Sequence, residues 1–263
     1  MRCNNDFTTP SFWCRVNAVR YRHTRVYNSN FWSNAVPPFL EPLIFLAGLG
    51  IGFGAYIQTM GTVNYILFLG SGIIVTSSMY TAAFECTYGT FIRLEFDKVY
   101  DGMLGAPISP TDLIVGEILF AGSKGAFFAL AVLIVTWVLG IINSPWSILA
   151  VLVGFLCGIM FATLSMWITS WVKNINHFNF YFTGLLSPMF FFSGTVFPLE
   201  NLPRSVQWAA EVIPLTHVVR MARAFCVPDT LGWHLMSDLA YCLIFIVVTG
   251  LFAVRGLKKR LID

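Results

Sequence analysis

Six stretches of the chain are almost wholly apolar and reach the roughly 20 residues that a helix needs to cross the hydrocarbon core of a bilayer. They run from about Ala35 to Ile57, Val63 to Tyr88, Asp112 to Ile142, Trp146 to Val172, Phe178 to Val196 and Leu235 to Val254. The fifth is short, holds Pro188 and is followed by Pro198. A soluble domain has about 25% charged and about 45–50% apolar residues. Here 11% are charged and 57% apolar, which excludes a water-soluble enzyme, a disordered chain and a small disulfide scaffold. The connections are short except at 89–110 and 197–234, so residues 1–263 are predicted to form one all-α membrane domain with no room for a soluble catalytic unit.

Lys and Arg set the orientation, because cytoplasmic loops carry their excess. An even number of spans puts both termini on one side, with the loops after the second and fourth spans. Twelve of the sixteen Lys and Arg lie there, and Arg204, Arg220 and Arg223 lie opposite. Both termini are predicted to be cytoplasmic. The polar, Arg-bearing N-terminus has no early apolar core, so no cleaved signal peptide is predicted.

Residues 11–27 are predicted to form an interfacial helix, with Thr9 as cap and Pro10 at its start. Phe12, Val16 and Val19 make its apolar stripe, and Arg15, Arg22 and Arg25 are expected to face headgroups.

Catalytic and metal-binding patterns are missing from the sequence. The six cysteines are scattered, with no C-x-x-C, and are expected to be small buried residues. No H-E-x-x-H occurs among the four histidines; His234 and Asp238 could meet at helical spacing. Gly122-Ser123-Lys124 is followed by Gly125 and does not make a phosphate-binding loop. Glycines at 48, 50, 52 and 54, and at 154 and 158, are expected to let helices approach closely. Charges within the spans are few: Glu41, Glu85, Asp112, Glu117 and Lys124. That is sparse for an ion-coupled carrier, which places ionisable groups near the midplane. No basic patch points to nucleic acid.

The loop at 89–110 reads as a short amphipathic helix. Ile92, Phe96, Val99 and Met103 form an apolar stripe, and Arg93 and Asp97 can pair at i,i+4. Gly102, Gly105 and Pro107 end it. With two basic and three acidic residues it suits a groove on a partner protein better than an anionic membrane.

Three motifs carry a resemblance: the run from Tyr100 to Pro110 (YDGMLGAPISP), the run from Phe192 to Leu199 (FSGTVFPL) followed by Leu202-Pro203, and Ile213-Pro214-Leu215-Thr216-His217 followed by Arg220 and Ala224. Their order and the six-span layout resemble type-2 ABC exporter permeases, closest to the nodulation (NodJ-like) lipo-oligosaccharide export branch. The resemblance implies a homodimer in a bacterial inner membrane, with two copies of a separate ABC ATPase that hold the ATP and Mg²⁺. This chain itself is expected to bind no cofactor or metal and to have no catalytic residue. The loop after the second span would be the coupling helix on the ATPase, here Arg93, Leu94, Phe96, Asp97, Val99, Tyr100 and Met103. Residues 197–234 would form short helices dipping back into the outer leaflet. Gly194, Phe197, Pro198, Pro203, Pro214 and His217 mark that region, and Leu215, Val219 and Ala222 give it an apolar stripe.

The expected mechanism is alternating access, moving an amphipathic molecule such as a lipo-oligosaccharide, another lipid-linked glycan or a drug-like compound. The aromatics crowding the fifth span suit such a conduit or a lipid-facing surface. The rival readings are an ion-coupled carrier or channel and a membrane-embedded transferase on lipid carriers.

Overall fold

The computed structural model describes residues 10–54, 56–57, 59–60, 63–227 and 234–262. Helix starts are set by side chains that take the free backbone N–H groups of the first turn. Asn64 accepts from the N–H of Ile66 at 2.9 Å and opens helix α3, Tyr65–Phe96. Ser109 and Asp112 form a reciprocal capping box at the start of α5, Pro110–Val138, with Pro110 at its first position. Trp146 follows Pro145 at the start of α6, Pro145–Thr169, and the last helix, α10, is His234–Ile262.

Among the described residues these four helices are long and apolar enough to cross a membrane. They have 32, 29, 25 and 29 residues. At about 1.5 Å per residue each exceeds the roughly 30 Å hydrocarbon thickness. The protein is therefore an all-α, multi-pass helix bundle. Helix α3 is central, with 72% of its apolar stretch buried against 22% for α10. α3, α5 and α6 pack pairwise and α10 lies on α6. Small residues bring α5 and α6 together, since a Cβ on Gly158 would lie 3.0 Å from Cα of Gly122. Gly50 and Gly54 take the Ile66 side chain, whereas Gly48 and Gly52 meet no neighbour.

Two further stretches are helical but irregular. Residues 37–54 form α2, which widens into a π-helix over Leu46–Ile51. Residues 175–192 form α7, which widens over Phe182–Leu186 just before Pro188. Proline supplies no N–H to the helix ladder, and the wider turn accommodates the missing bond. An antiparallel aromatic seam fixes α7 on α3. Phe91 and Tyr88 meet Phe178, Phe84 meets Phe182, and Tyr80 meets Phe190. This sorts the fifth-span aromatics. Phe178, Tyr181 and Phe190 are buried, while Phe180 is 78% exposed and Phe191 and Phe192 also face outward.

Helix α1, Phe12–Ser29, forms where a helix is predicted, but its setting differs. It runs parallel to the first turns of α5, meeting it at four-residue intervals. Arg15 pairs with Asp112, Val19 packs on Gly116, His23 lies on Phe120, and Tyr27 lies under the Lys124 ammonium. Arg15 thus turns to a carboxylate and not to headgroups. Tyr27 and Asn34 then exchange side-chain and backbone hydrogen bonds of 2.9 and 2.7 Å, which holds the bend into α2. The expected cap Thr9 lies outside the described residues. Thr59–Met60 pairs antiparallel with Val63–Asn64 between α2 and α3. Of the cysteines, Cys86, Cys157, Cys226 and Cys242 are buried as expected and Cys14 is exposed. Cys3 lies outside the described residues.

Candidate functional site

At the end of the bundle where α3 finishes and α5 begins, the charges that are isolated in sequence meet. Glu85 accepts from Lys124 Nζ at 2.8 Å and from Arg93 Nη1 at 2.7 Å. The Arg93 guanidinium also lies 3.1 Å from Glu117 Oε1, through Nε. Glu117 further accepts from Thr90 Oγ1 at 2.8 Å and faces His23 Nε2 at 3.1 Å. Two carboxylates are thus matched by two basic side chains, Arg93 and Lys124, in the low-dielectric interior. Breaking one member leaves a buried charge alone, at a cost of about 3–5 kcal/mol.

The shape of α3 puts Arg93 there. Its backbone widens into π-helix over Glu85–Gly89 and again over Ile92–Phe96. Each wide turn takes an extra residue and rotates the residues beyond it. Arg93 therefore faces inward to Glu85 and Glu117. The expected pairing of Arg93 with Asp97 does not form, and Asp97 is exposed.

The expected single helix over Arg93–Met103 is also corrected. α3 ends at Phe96, Lys98 takes a left-handed conformation with φ 51°, and a separate short helix α4, Val99–Leu104, follows. A left-handed residue cannot continue a helix, so the chain changes direction at Lys98. The expected coupling residues divide accordingly. Phe96 is 64% exposed and Asp97 is exposed, Val99 and Met103 are half-buried, and Arg93 lies largely within the bundle. Leu94 and Tyr100 are buried in a cluster with Leu113, Ile114 and Leu257. The Tyr100 hydroxyl is enclosed beside Arg93 and Glu117. Burial, then the negative charge of Glu117, pushes its pKa well above the ordinary tyrosine value.

The last helix is tied to the same end. Arg260 donates to Glu95 Oε1 at 2.8 Å and to the carbonyls of Thr169, the last residue of α6, and Val172 just beyond it. Its guanidinium also lies over the Phe91 ring.

At the other end, Gly194 turns the chain after α7 with φ +80°, a region open to glycine. Pro198 opens a short 3₁₀ turn, Leu199–Asn201, and Phe197 is exposed. Pro203 precedes α8, Arg204–Val212, and Pro214 is the first residue of α9, Pro214–Cys226. α9 packs on α3, α6 and α10, burying Leu215, Val219 and Ala222. Residues 228–233 of the expected outer segment lie outside the described residues.

Asp238 does not pair with His234. It receives Arg220 Nη1 at 3.2 Å and lies 2.7 Å from His217 Nδ1. The His217 ring stacks on Tyr241, and its Nε2 lies 2.9 Å from the Glu211 carbonyl. Arg223 donates to the Gly194 carbonyl at 3.0 Å and covers the Phe68 ring at 3.7 Å.

The family model for ABC-2 type transporters matches residues 16–226, from within α1 to the end of α9. The chain belongs to the ABC-2 type transporter family. It is 35% identical over 227 residues to Nodulation protein J of Rhizobium leguminosarum bv. trifolii, covering 84% of each chain. To Nodulation protein J of Neorhizobium galegae it is 32% identical over 250 residues, covering 90% of this chain and 92% of the relative. The Inner membrane transport permease YadH of Escherichia coli K12 is 19% identical over 209 residues, covering 79% and 81%. As an ABC-2 permease the chain is a non-catalytic transport subunit that works with an ABC ATPase.

For an ABC-2 permease the balanced charge network was the part hidden from sequence reasoning. The signal present was charge balance: Glu85 and Glu117 in apolar spans need partners, and Arg93 lies eight residues from Glu85 and Lys124 seven from Glu117.

Proposed function

We propose that the chain is the permease of an ATP-driven exporter in a bacterial inner membrane, acting as a homodimer with two ATPase copies. Its cargo is amphipathic, a lipo-oligosaccharide or a similar lipid-linked glycan. The naming of the relatives as nodulation proteins and as an inner-membrane permease supports this placement.

Six crossings complete the bundle, with α2 and α7 added to the four long helices. Support comes from the α7 seam along α3 and from α2, which touches Phe127 through Phe39 and Ile66 through Gly50 and Gly54. Both termini are cytoplasmic, on the Lys and Arg distribution. α1 borders the inner headgroup region, with exposed Arg20 and Arg25 toward it. α8 and α9 sit at the outer end as re-entrant helices; their broken backbone is tolerated because protein covers it.

The ATPase docks on the end of α3 and on α4, through Phe96, Asp97, Val99 and Met103. Arg93, Leu94 and Tyr100 carry the motion inward. When two ATPase subunits close on ATP, the pull on α4 passes through Tyr100 and Arg93 to Glu117 on α5 and Glu85 on α3. Arg260 and Glu95 bring α10 and the end of α6 along. The bundle then exchanges inward for outward access.

The observation that carries this reading is the exposed Phe96 on a segment whose Arg93 is anchored by buried ion pairs to Glu85 on α3 and Glu117 on α5. The test is copurification of the tagged chain from mild detergent. An ATPase recovered in equal stoichiometry, with nucleotide hydrolysis, is expected. A lone chain with transport that follows an ion gradient would sink the proposal in favour of a carrier.

A further inference from the structure

A cavity of about 670 Å³ opens at the end of the bundle opposite the coupling segment, between the Gly194–Asn201 turn, α8, α9 and the start of α10. Its size falls in the range of small-ligand sites, about 300–1,000 Å³. We infer that this cavity binds the neutral, hydroxyl-rich glycan portion of the transported molecule on the outer side, an inference that rests on the exporter reading above.

Three observations select that ligand chemistry. The first is the lining. Glu200, Asn201, Gln207, Glu211, Arg220 and Arg223 are planar polar groups that pair with vicinal hydroxyls, each offering two donor or acceptor atoms side by side. Phe68, Leu199, Val219 and Met221 supply apolar wall for the C–H faces of sugar rings.

The second is charge. The cations Arg220 and Arg223 face three carboxylates, Glu200, Glu211 and Asp238. This wall gives an anionic ligand no net attraction, so a phosphate or sulfate group is disfavoured where a neutral polyol is not.

The third is the built support beneath the wall. Asp238 is 1% exposed and holds Arg220 from below, while Glu211 holds it from the side. Asp238 Oδ2 is enclosed with no hydrogen-bond partner among the described residues. Arg220 is pinned before any ligand arrives, and pinned donors lose less freedom on binding.

The experiment uses the permease–ATPase complex in lipid nanodiscs, titrated calorimetrically. The probes are maltotetraose, cellotetraose, the N-acetylglucosamine tetramer, and sulfated maltotetraose as the anionic control. Saturable binding of at least one neutral probe is expected, with the sulfated probe no tighter. Ala224→Phe, which fills the cavity, is expected to weaken that binding tenfold or more. Asn201→Ala, on an exposed turn, is expected to weaken it several-fold with an unchanged melting temperature, which keeps loss of fold apart from loss of binding. Absence of neutral-glycan binding in a complex whose ATPase is active overturns the inference alone. Equal affinity in both variants, or tighter binding of the sulfated probe, does the same. Failure to recover any ATPase overturns the exporter reading and this inference with it.

Discussion

Glu117 meets Arg93, His23 and Thr90 within 3.2 Å, although Arg93 is 24 residues away in the chain and His23 lies on α1. Neutralising it leaves Arg93 with Glu85 alone and strips His23 of its carboxylate. Glu117→Gln is expected to lose about 3–5 kcal/mol of stability, read as a lowered melting temperature in detergent. Adding Arg93→Gln to it should restore part of the loss, because the second change removes the uncompensated charge. A double variant as unstable as the sum of the singles would separate the two residues. Local rules in the sequence pair Arg93 with Asp97, four residues on. That rule holds for an unbroken α-helix at a surface. It failed here because the π-helical stretch Glu85–Gly89 turns Arg93 inward and the one at Ile92–Phe96 breaks the four-residue spacing to Asp97, and no local spacing reports them.

At the scale of the elements, α1 depends on one close approach. A Cβ at Gly116 would lie 2.7 Å from the Val19 side chain, so the helices touch only because position 116 is bare. Gly116→Val is expected to lift α1 from α5. The check is disulfide formation between cysteines placed at Arg15 and Asp112, which should be efficient in the parent and fall at least fivefold in the variant. Unchanged cross-linking would show that α1 adapts. A helix here was legible from its apolar stripe, but it starts at Phe12 after Ser11 and not at Pro10. Its partner was not, because Val16 and Val19 read equally well as a stripe on lipid. The break at Lys98 was also hidden, since Lys carries no preference for left-handed backbone. The helix starts at Pro203 and Pro214 were visible, because proline imposes them locally.

For the whole molecule, hydropathy yields the membrane class and four of the expected crossings outright, because length and apolar content are additive along the chain. The charge network and the outer cavity emerge only from the packing of distant elements. The topology has a direct check. Cysteines placed at Asp97 and Asn201 should react with a membrane-impermeant thiol reagent from opposite faces of sealed vesicles, Asp97 from the cytoplasmic face. Labelling of both from one face would overturn the six-crossing arrangement.

The coupling claim is tested most directly by cargo exported per ATP hydrolysed in proteoliposomes holding the permease and its ATPase. The comparison is between the parent and Phe96→Asp/Val99→Asp. Both changes place charge on the proposed docking face and leave the buried pairs of Arg93, Glu85 and Glu117 in place. The expected result is a chain that inserts normally but exports at least tenfold less cargo per ATP. An unchanged ratio, with the ATPase still bound, would contradict docking through this segment.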